Sequence, residues 1–254
     1  MELIILGSGT AMPLSYRASP SLALMVCGDL ILLDMGPGTL RQLTKAGLNH
    51  ERISRIFITH FHPDHTADLV HLFFATKNPT VFGRRSPFAI IGPIGTKEFI
   101  QRLEMAYPGW ISLPPEIMEI QELDPDEMTP REYPNFKILI RPTNHTANSL
   151  AYRVESRKGK SLVYSGDTAF CEEIVELAKG SDLLILESSF PDGEEADGHL
   201  TPSQAGHLAS SAGVKRLVLT HFYPECLRTD IAAQCRSTYR GELILGGDLL
   251  QIRI

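Results

Sequence analysis

Cysteine is scarce in this chain: 4 in 254 residues, at Cys27, Cys171, Cys226 and Cys235. They are scattered and form no CxxC pair, and so few thiols do not make a disulfide scaffold. They read as free thiols, buried or partly exposed. There is one tryptophan, and aromatics make up 7% of the residues. No apolar run approaches the ~20 residues a membrane-crossing helix needs. The N-terminal stretch Leu3–Leu6 is too short for a secretory core, and Glu2 precedes it where a signal peptide carries positive charge. The expectation is a protein of the cytoplasm with no membrane contact. A basic excess is also missing: 24 Lys and Arg stand against 30 Asp and Glu, a net charge of -6. The whole surface therefore offers no general grip on a polyanion.

What is present is a globular composition, 43% hydrophobic and 21% charged, long enough for a sizeable core. No low-complexity tract or fixed-period repeat interrupts it. Short apolar runs read as strands at 3–6, 21–26, 30–34, 53–59 and 88–92. Further strands are expected at 136–142, 149–156, 161–167, 182–189 and 214–221, with two short ones after 241. Helical spacing appears at 38–47, 67–76, 95–107, 172–180 and 201–213. Residues 108–135 look irregular apart from a short strand near 117–120. Two halves of strands followed by βα pairs succeed each other with no linker. That pattern predicts α/β class, one domain over 1–254, with two sheets packed inside helices.

The chemistry concentrates in Thr59-His60-Phe61-His62-Pro63-Asp64-His65. This H-x-H-x-D-H string begins where a strand ends, a common place for a site. Alternation points His60 and His62 the same way from an extended segment. Imidazole with carboxylate suits zinc, and also iron or manganese. Three more candidates stand at strand ends: His145, Asp167 and His221. Each alone reads as a turn residue or a cap. Together with the string they make seven ligands, too many for one tetrahedral ion and suited to two. One ion would take His60, His62 and His145, the other Asp64, His65 and His221, with Asp167 bridging. Such a pair can hold a hydroxide between the ions and brace both attacking and leaving oxygens.

These motifs resemble the metallo-β-lactamase-fold hydrolases over essentially the whole chain. The signature runs through Gly7-Ser8-Gly9-Thr10, Asp34 and Gly36 in LLDMG, THFHPDH, His145, SGDT and LTH. The resemblance implies a four-layer αββα sandwich, in which Asp34 orients a metal-bound histidine. LGSGTAMP, LVYSGDT and GHLTPSQAG resemble the ribonuclease Z branch. That likeness implies that His199, in His199-Leu200-Thr201, is the general acid that protonates the leaving group; in the phosphodiesterase reading Asp64 helps position the attacking hydroxide. Imidazole suits that task near neutral pH. One departure stands out. Ribonuclease Z carries a tRNA-gripping arm between the positions of His145 and Asp167, and only 22 positions separate them here, enough for two strands and a turn.

The basic turn at Arg157, Lys158 and Lys160 reads as an ordinary hairpin turn. Glu187, Asp192, Glu194, Glu195 and Asp197 read as an acidic approach that repels a polyanion. Gly7-x-Gly9 lacks the third glycine and the following helix of a dinucleotide site. It reads as a tight turn that brings backbone near the ligands. His50, His71 and His207 read as structural. The resulting expectation is a dinuclear hydrolase of a small or medium phosphodiester, with tRNA disfavoured and a homodimer open by analogy. A lactone or thioester hydrolase, an iron-dependent oxidoreductase and a binding protein without catalysis are the alternatives.

Overall fold

A computed structural model describes residues 1–83, 86–127 and 129–254. The first half of the chain supplies β1 (Glu2–Gly7), β2 (Ser21–Val26), β3 (Asp29–Leu33), β4 (Ile53–Phe57), β5 (Phe88–Pro93) and β6 (Met118–Leu123). The second half supplies β7 (Arg131–Glu132), β8 (Phe136–Pro142), β9 (Leu150–Ser156), β10 (Ser161–Tyr164), β11 (Leu183–Glu187), β12 (Arg216–Thr220), β13 (Glu242–Leu245) and β14 (Gln251–Arg253). They build two seven-stranded sheets, ordered β14-β1-β2-β3-β4-β5-β6 and β13-β12-β11-β10-β9-β8-β7. In each sheet one half pairs antiparallel and the other parallel. β3 to β6 and β10 to β13 are the parallel halves.

The strands are apolar on both sides because both sides are covered. Along β11, Leu183 and Ile185 face the space between the sheets, while Leu184 and Leu186 face outward under helices. β3 alternates likewise, with Ile31 and Leu33 inward and Leu30 and Leu32 outward. The inter-sheet core is braced by aromatics. Phe57 meets Tyr152, Tyr133 and Phe136 with ring centroids 5.5–6.3 Å apart.

On one outer face lie α1 (Thr39–Lys45), α2 (Pro63–Thr66), α3 (Asp68–Thr76), α4 (Pro79–Phe82) and α5 (Thr96–Ala106). α3 buries Leu69, Leu72 and Phe73, the i, i+3, i+4 face. On the other face lie α6 (Glu172–Ala178), α7 (Pro202–Ser211) and α8 (Ile231–Arg236). α7 starts on a reciprocal cap between Thr201 and Gln204 with Pro202 at the first position. The result is the expected αββα sandwich.

Differences from the sequence reading are local. α2, α4, α8 and the two-residue β7 are additional, each of two to six residues, too short for a periodic signal. β6 runs three residues beyond the expected end. β4, β10, β11 and β12 stop short of theirs, because the residues that follow them leave the ladder to form the site.

Candidate metal centre

The parallel strands of both sheets point their C-terminal ends to one edge. β3 ends on Asp34, β4 on the segment Thr59–His65, β10 on Asp167, β11 on Glu187 and β12 on His221. β8 leads to His145. The chain turns sharply after three of these strands: Asp34, Gly166 and His221 all have φ of +60°. A left-handed backbone is uncommon for a non-glycine residue. Here neighbouring bonds hold it in place. Asp34 N–H binds Phe57 O at 2.8 Å, and Phe222 N–H binds Ser8 O at 3.2 Å. The second bond places the Gly7–Gly9 turn against the residue after His221.

The sheets are stitched together at this edge. Tyr152 Oη donates to Ile58 O at 2.6 Å, and Leu150 N–H to Thr59 O at 2.9 Å. Pro63 opens α2 directly after His62, so Asp64 and His65 fall in its first turn. Glycine permits the close contacts. A Cβ on Gly36 would lie 1.9 Å from Asp64 O, and one on Gly166 would lie 2.7 Å from Thr59 Cβ.

The seven residues singled out from the sequence converge. Asp167 lies between two groups and turns one oxygen to each. Its Oδ2 is 3.8 Å from His60 Nε2 and 3.7 Å from His145 Nε2. Its Oδ1 is 3.3 Å from His65 Nε2 and 3.4 Å from His221 Nε2. His62 Nδ1 is 3.1 Å from His145 Nε2. Asp64 Oδ2 is 3.8 Å from His65 Nε2 and 3.6 Å from His221 Nε2. Donor atoms of His60, His62, His145 and Asp167 lie within 4.8 Å of one another, as do those of Asp64, His65 and His221. Donors at ~2.0–2.1 Å around a tetrahedral ion stand ~3.3–3.4 Å apart, close to these separations.

The ring protons are placed for this role. His65 Nδ1–H is held by Asp34 Oδ2 at 2.7 Å, and His145 Nδ1–H by Gly198 O at 2.9 Å. His60 Nδ1 faces Thr59 Oγ1 at 3.0 Å, and that hydroxyl gives its own proton to Asp34. His221 Nδ1 faces Ser189 Oγ at 2.9 Å. Each Nε2 is thereby left with a lone pair aimed at Asp167. The Nε2 atoms of His60, His65 and His221 and the Oδ1 of Asp167 are buried and find no hydrogen-bond partner among the described residues. Buried polar atoms are rarely left so, and four at one point fit a bound cation.

The titration behaviour of His60, His145 and Asp167 agrees. Burial, then the neighbouring His65, pushes the His60 pKa well down, and burial lowers that of His145. Both rings are therefore neutral, each with a lone pair on its bare nitrogen. Burial raises the carboxyl of Asp167, but His221 and His65 outweigh it and hold the group well below its usual range. His65 moves up because Asp167 and Asp34 overcome its burial. A cation beside Nε2 satisfies Asp167 as a second ring proton would.

His199 stands beside this cluster, its ring stacked on His221 at 5.8 Å. Its Nδ1–H is held by Glu187 Oε1 at 2.9 Å. Burial opposes protonation, but the Glu187 bond outweighs it, and the pKa of His199 is raised. With Asp167 and His221 it also forms a set within 4.8 Å.

Glu187 corrects the sequence reading, which groups it with surface acids. It is 1% exposed and accepts from Thr168 N–H, Ser189 Oγ and Leu200 N–H besides His199. Asp192, Glu194, Glu195 and Asp197 are the exposed members. Thr59, Tyr164 and Ser189 hydrogen-bond to the cluster and its supporting carboxylates, and the sequence reading does not single them out. Tyr164 Oη donates to Asp34 Oδ2 at 3.0 Å. Their signal is slight: each is a hydroxyl residue at or just past a strand end.

The chain matches the family described as "Beta-lactamase superfamily domain" over residues 30–222. It is 33% identical to the Ribonuclease Z of Ignicoccus hospitalis, covering 87% of each chain. It is 28% identical to the Ribonuclease Z of Methanothermobacter thermautotrophicus, covering 100% of this chain and 97% of that one. That alignment runs over 305 positions against 254 residues here, so at least 51 positions have no counterpart in this chain. Among solved structures, human tRNase Z, short form, superposes with a TM-score of 0.81 at 28% identity, covering 100% of this chain and 99% of that one. No helix among the described residues is long and apolar enough to cross a membrane. With this fold and this cluster of imidazoles and carboxylates, the chain belongs to the beta-lactamase superfamily, in its ribonuclease Z-like branch, and is a metal-dependent hydrolase.

Proposed function

We propose that the protein is a dinuclear metal phosphodiesterase. His60, His62 and His145 would hold one divalent cation and Asp64, His65 and His221 the other, with Asp167 shared. Zinc is the first choice for imidazole and carboxylate, with manganese or iron as alternatives. When bound, such a pair supplies Lewis acidity and makes water a nucleophile near neutral pH. The observation that carries the proposal is Asp167, whose two oxygens face two separate histidine groups at 3.3–3.8 Å.

The chain's own residues do the rest. Asp64 aims its carboxylate at the space between His65 and His221 and positions the attacking water there. Phosphodiester cleavage expels an alkoxide, which needs a proton. Glu187 keeps His199 protonated and fixes its ring, so His199 delivers that proton to the leaving oxygen.

The substrate we infer is a small or medium phosphodiester. The relatives are named as ribonucleases, which makes an RNA linkage the first candidate. Two features weigh against a whole tRNA. The segment between His145 and Asp167 is occupied by β9 and β10, without a protruding arm. The loop carrying His199 exposes Asp192, Glu194, Glu195 and Asp197, which repel a polyanion. We read residues 1–254 as one metallo-β-lactamase-like domain working in the cytoplasm, with a homodimer compatible with this reading.

The test is elemental analysis of protein purified without added metal, followed by a substrate panel. Two equivalents of metal per chain and turnover of bis(p-nitrophenyl) phosphate or a dinucleotide are expected. A fully metallated sample that turns over lactones or thioesters and no phosphodiester would overturn the proposal.

A further inference from the structure

Ser189 is fully buried, two residues past the end of β11. Its hydroxyl proton goes to Glu187 Oε2 at 2.5 Å. Having given that proton, Oγ can only accept from a ring nitrogen. His221 Nδ1 lies 2.9 Å away. His199 Nδ1, at 3.3 Å, is nearer to Glu187 Oε1 at 2.9 Å. The proton of His221 is therefore fixed on Nδ1, and its bare Nε2 faces Asp167 and Asp64.

The same arrangement occurs across the site. Asp34 binds His65 directly at 2.7 Å and receives the hydroxyl of Thr59, whose oxygen faces His60 Nδ1 at 3.0 Å. Each buried carboxylate thus serves one imidazole directly and a second through a hydroxyl. On one side the pairs are Asp34 with His65 and, by Thr59, His60. On the other they are Glu187 with His199 and, by Ser189, His221.

We propose that Ser189 is a positioning residue that fixes the tautomer and tilt of His221, so that Glu187 places the acid and a metal ligand together. The proposal rests on the ligand reading above. Ser189 touches neither substrate nor reacting atoms; it acts through His221. Loss of a hydrogen bond behind a ligating histidine typically weakens metal binding ~10–100-fold.

The test is zinc titration and elemental analysis of the full chain as wild type, Ser189→Ala and Ser189→Thr. The wild type is expected to bind two equivalents. Ser189→Ala should keep one at wild-type strength and bind the second ~10–100-fold more weakly. Ser189→Thr, which retains the hydroxyl, should restore the wild-type value. Nitrogen-15 NMR of zinc-loaded wild type should show His221 protonated at Nδ1, a readout that needs no variant. A wild type that binds no zinc sinks the ligand reading and this proposal with it. A wild type that binds two, with Ser189→Ala binding both equally well, overturns the proposal alone. So does a His221 proton found at Nε2.

Discussion

Replacing His199 with alanine should separate two kinds of ester. The ring is fixed before substrate arrives, by Glu187 Oε1 at 2.9 Å on Nδ1 and by stacking on His221 at 5.8 Å. Phe190 and Tyr223 stand 5.9 and 6.1 Å from it on a further side. A proton donor so constrained belongs in the upper part of the usual range, so kcat should fall ~10³–10⁴-fold when the leaving group is an alkoxide. At 1.36 kcal/mol per decade that is about 4–5.5 kcal/mol of barrier. A p-nitrophenolate departs without needing a proton near neutral pH, so its ester should lose less than about tenfold. The assay is steady-state kcat of both proteins on a dinucleotide and on bis(p-nitrophenyl) phosphate, with bound metal measured on the same samples. Equal losses on the two esters would refute the acid role. So would a fall in metal content, because a ring nitrogen of His199 lies with Asp167 and His221 within 4.8 Å, and such a fall would make it a ligand.

Three other outcomes follow from the same geometry. Gly198→Ala places a Cβ 2.8 Å from His145 Nδ1 at a φ of +81°, so metal at the His60–His62–His145 end should bind ~10–100-fold more weakly by titration. Glu187→Gln removes the charge that raises the pKa of His199. An acid works below its pKa and fails as pH rises through it, so the alkaline limb of the kcat profile on a dinucleotide should move to lower pH; an unmoved limb would count against the dyad. Stripping metal should lower thermal stability. Returning zinc at 100 times its Kd is worth ~2.7 kcal/mol, or about 5–10 °C in a chain of this size, and Asp167→Ala should abolish that gain in a melting scan.

Much of this was readable before any coordinates, for a physical reason. The side chains proposed to hold metal are titratable and stand at strand ends or just beyond them, so His60, His62, Asp64, His65, His145, Asp167 and His221 can be picked out by type and place. The strand spans were legible because burial on both faces demands continuous apolar runs, as in Leu183–Leu186. The parts that support the proposed ligands are less visible in the sequence. A serine after a strand, like Ser189, looks the same whether it caps a turn or aims an imidazole. The sequence groups Glu187 with its exposed acidic neighbours because charge alone does not reveal burial; its 1% exposure at the end of β11, paired with Thr220, shows that it closes the strand from inside. α2 and α8 are too short to display a period.

The glycines at 36, 166 and 198 have no group that could bind or react, yet a methyl on any of them would strike Asp64, Thr59 or His145. Anyone diversifying this enzyme to change its substrate would be tempted to freeze the seven titratable side chains and randomise the rest. Libraries drawn that way would lose many clones at these three positions, where even a methyl comes within 3.0 Å of a neighbouring atom. The designable surface begins further out, on the loop that bears the acids at 192, 194, 195 and 197.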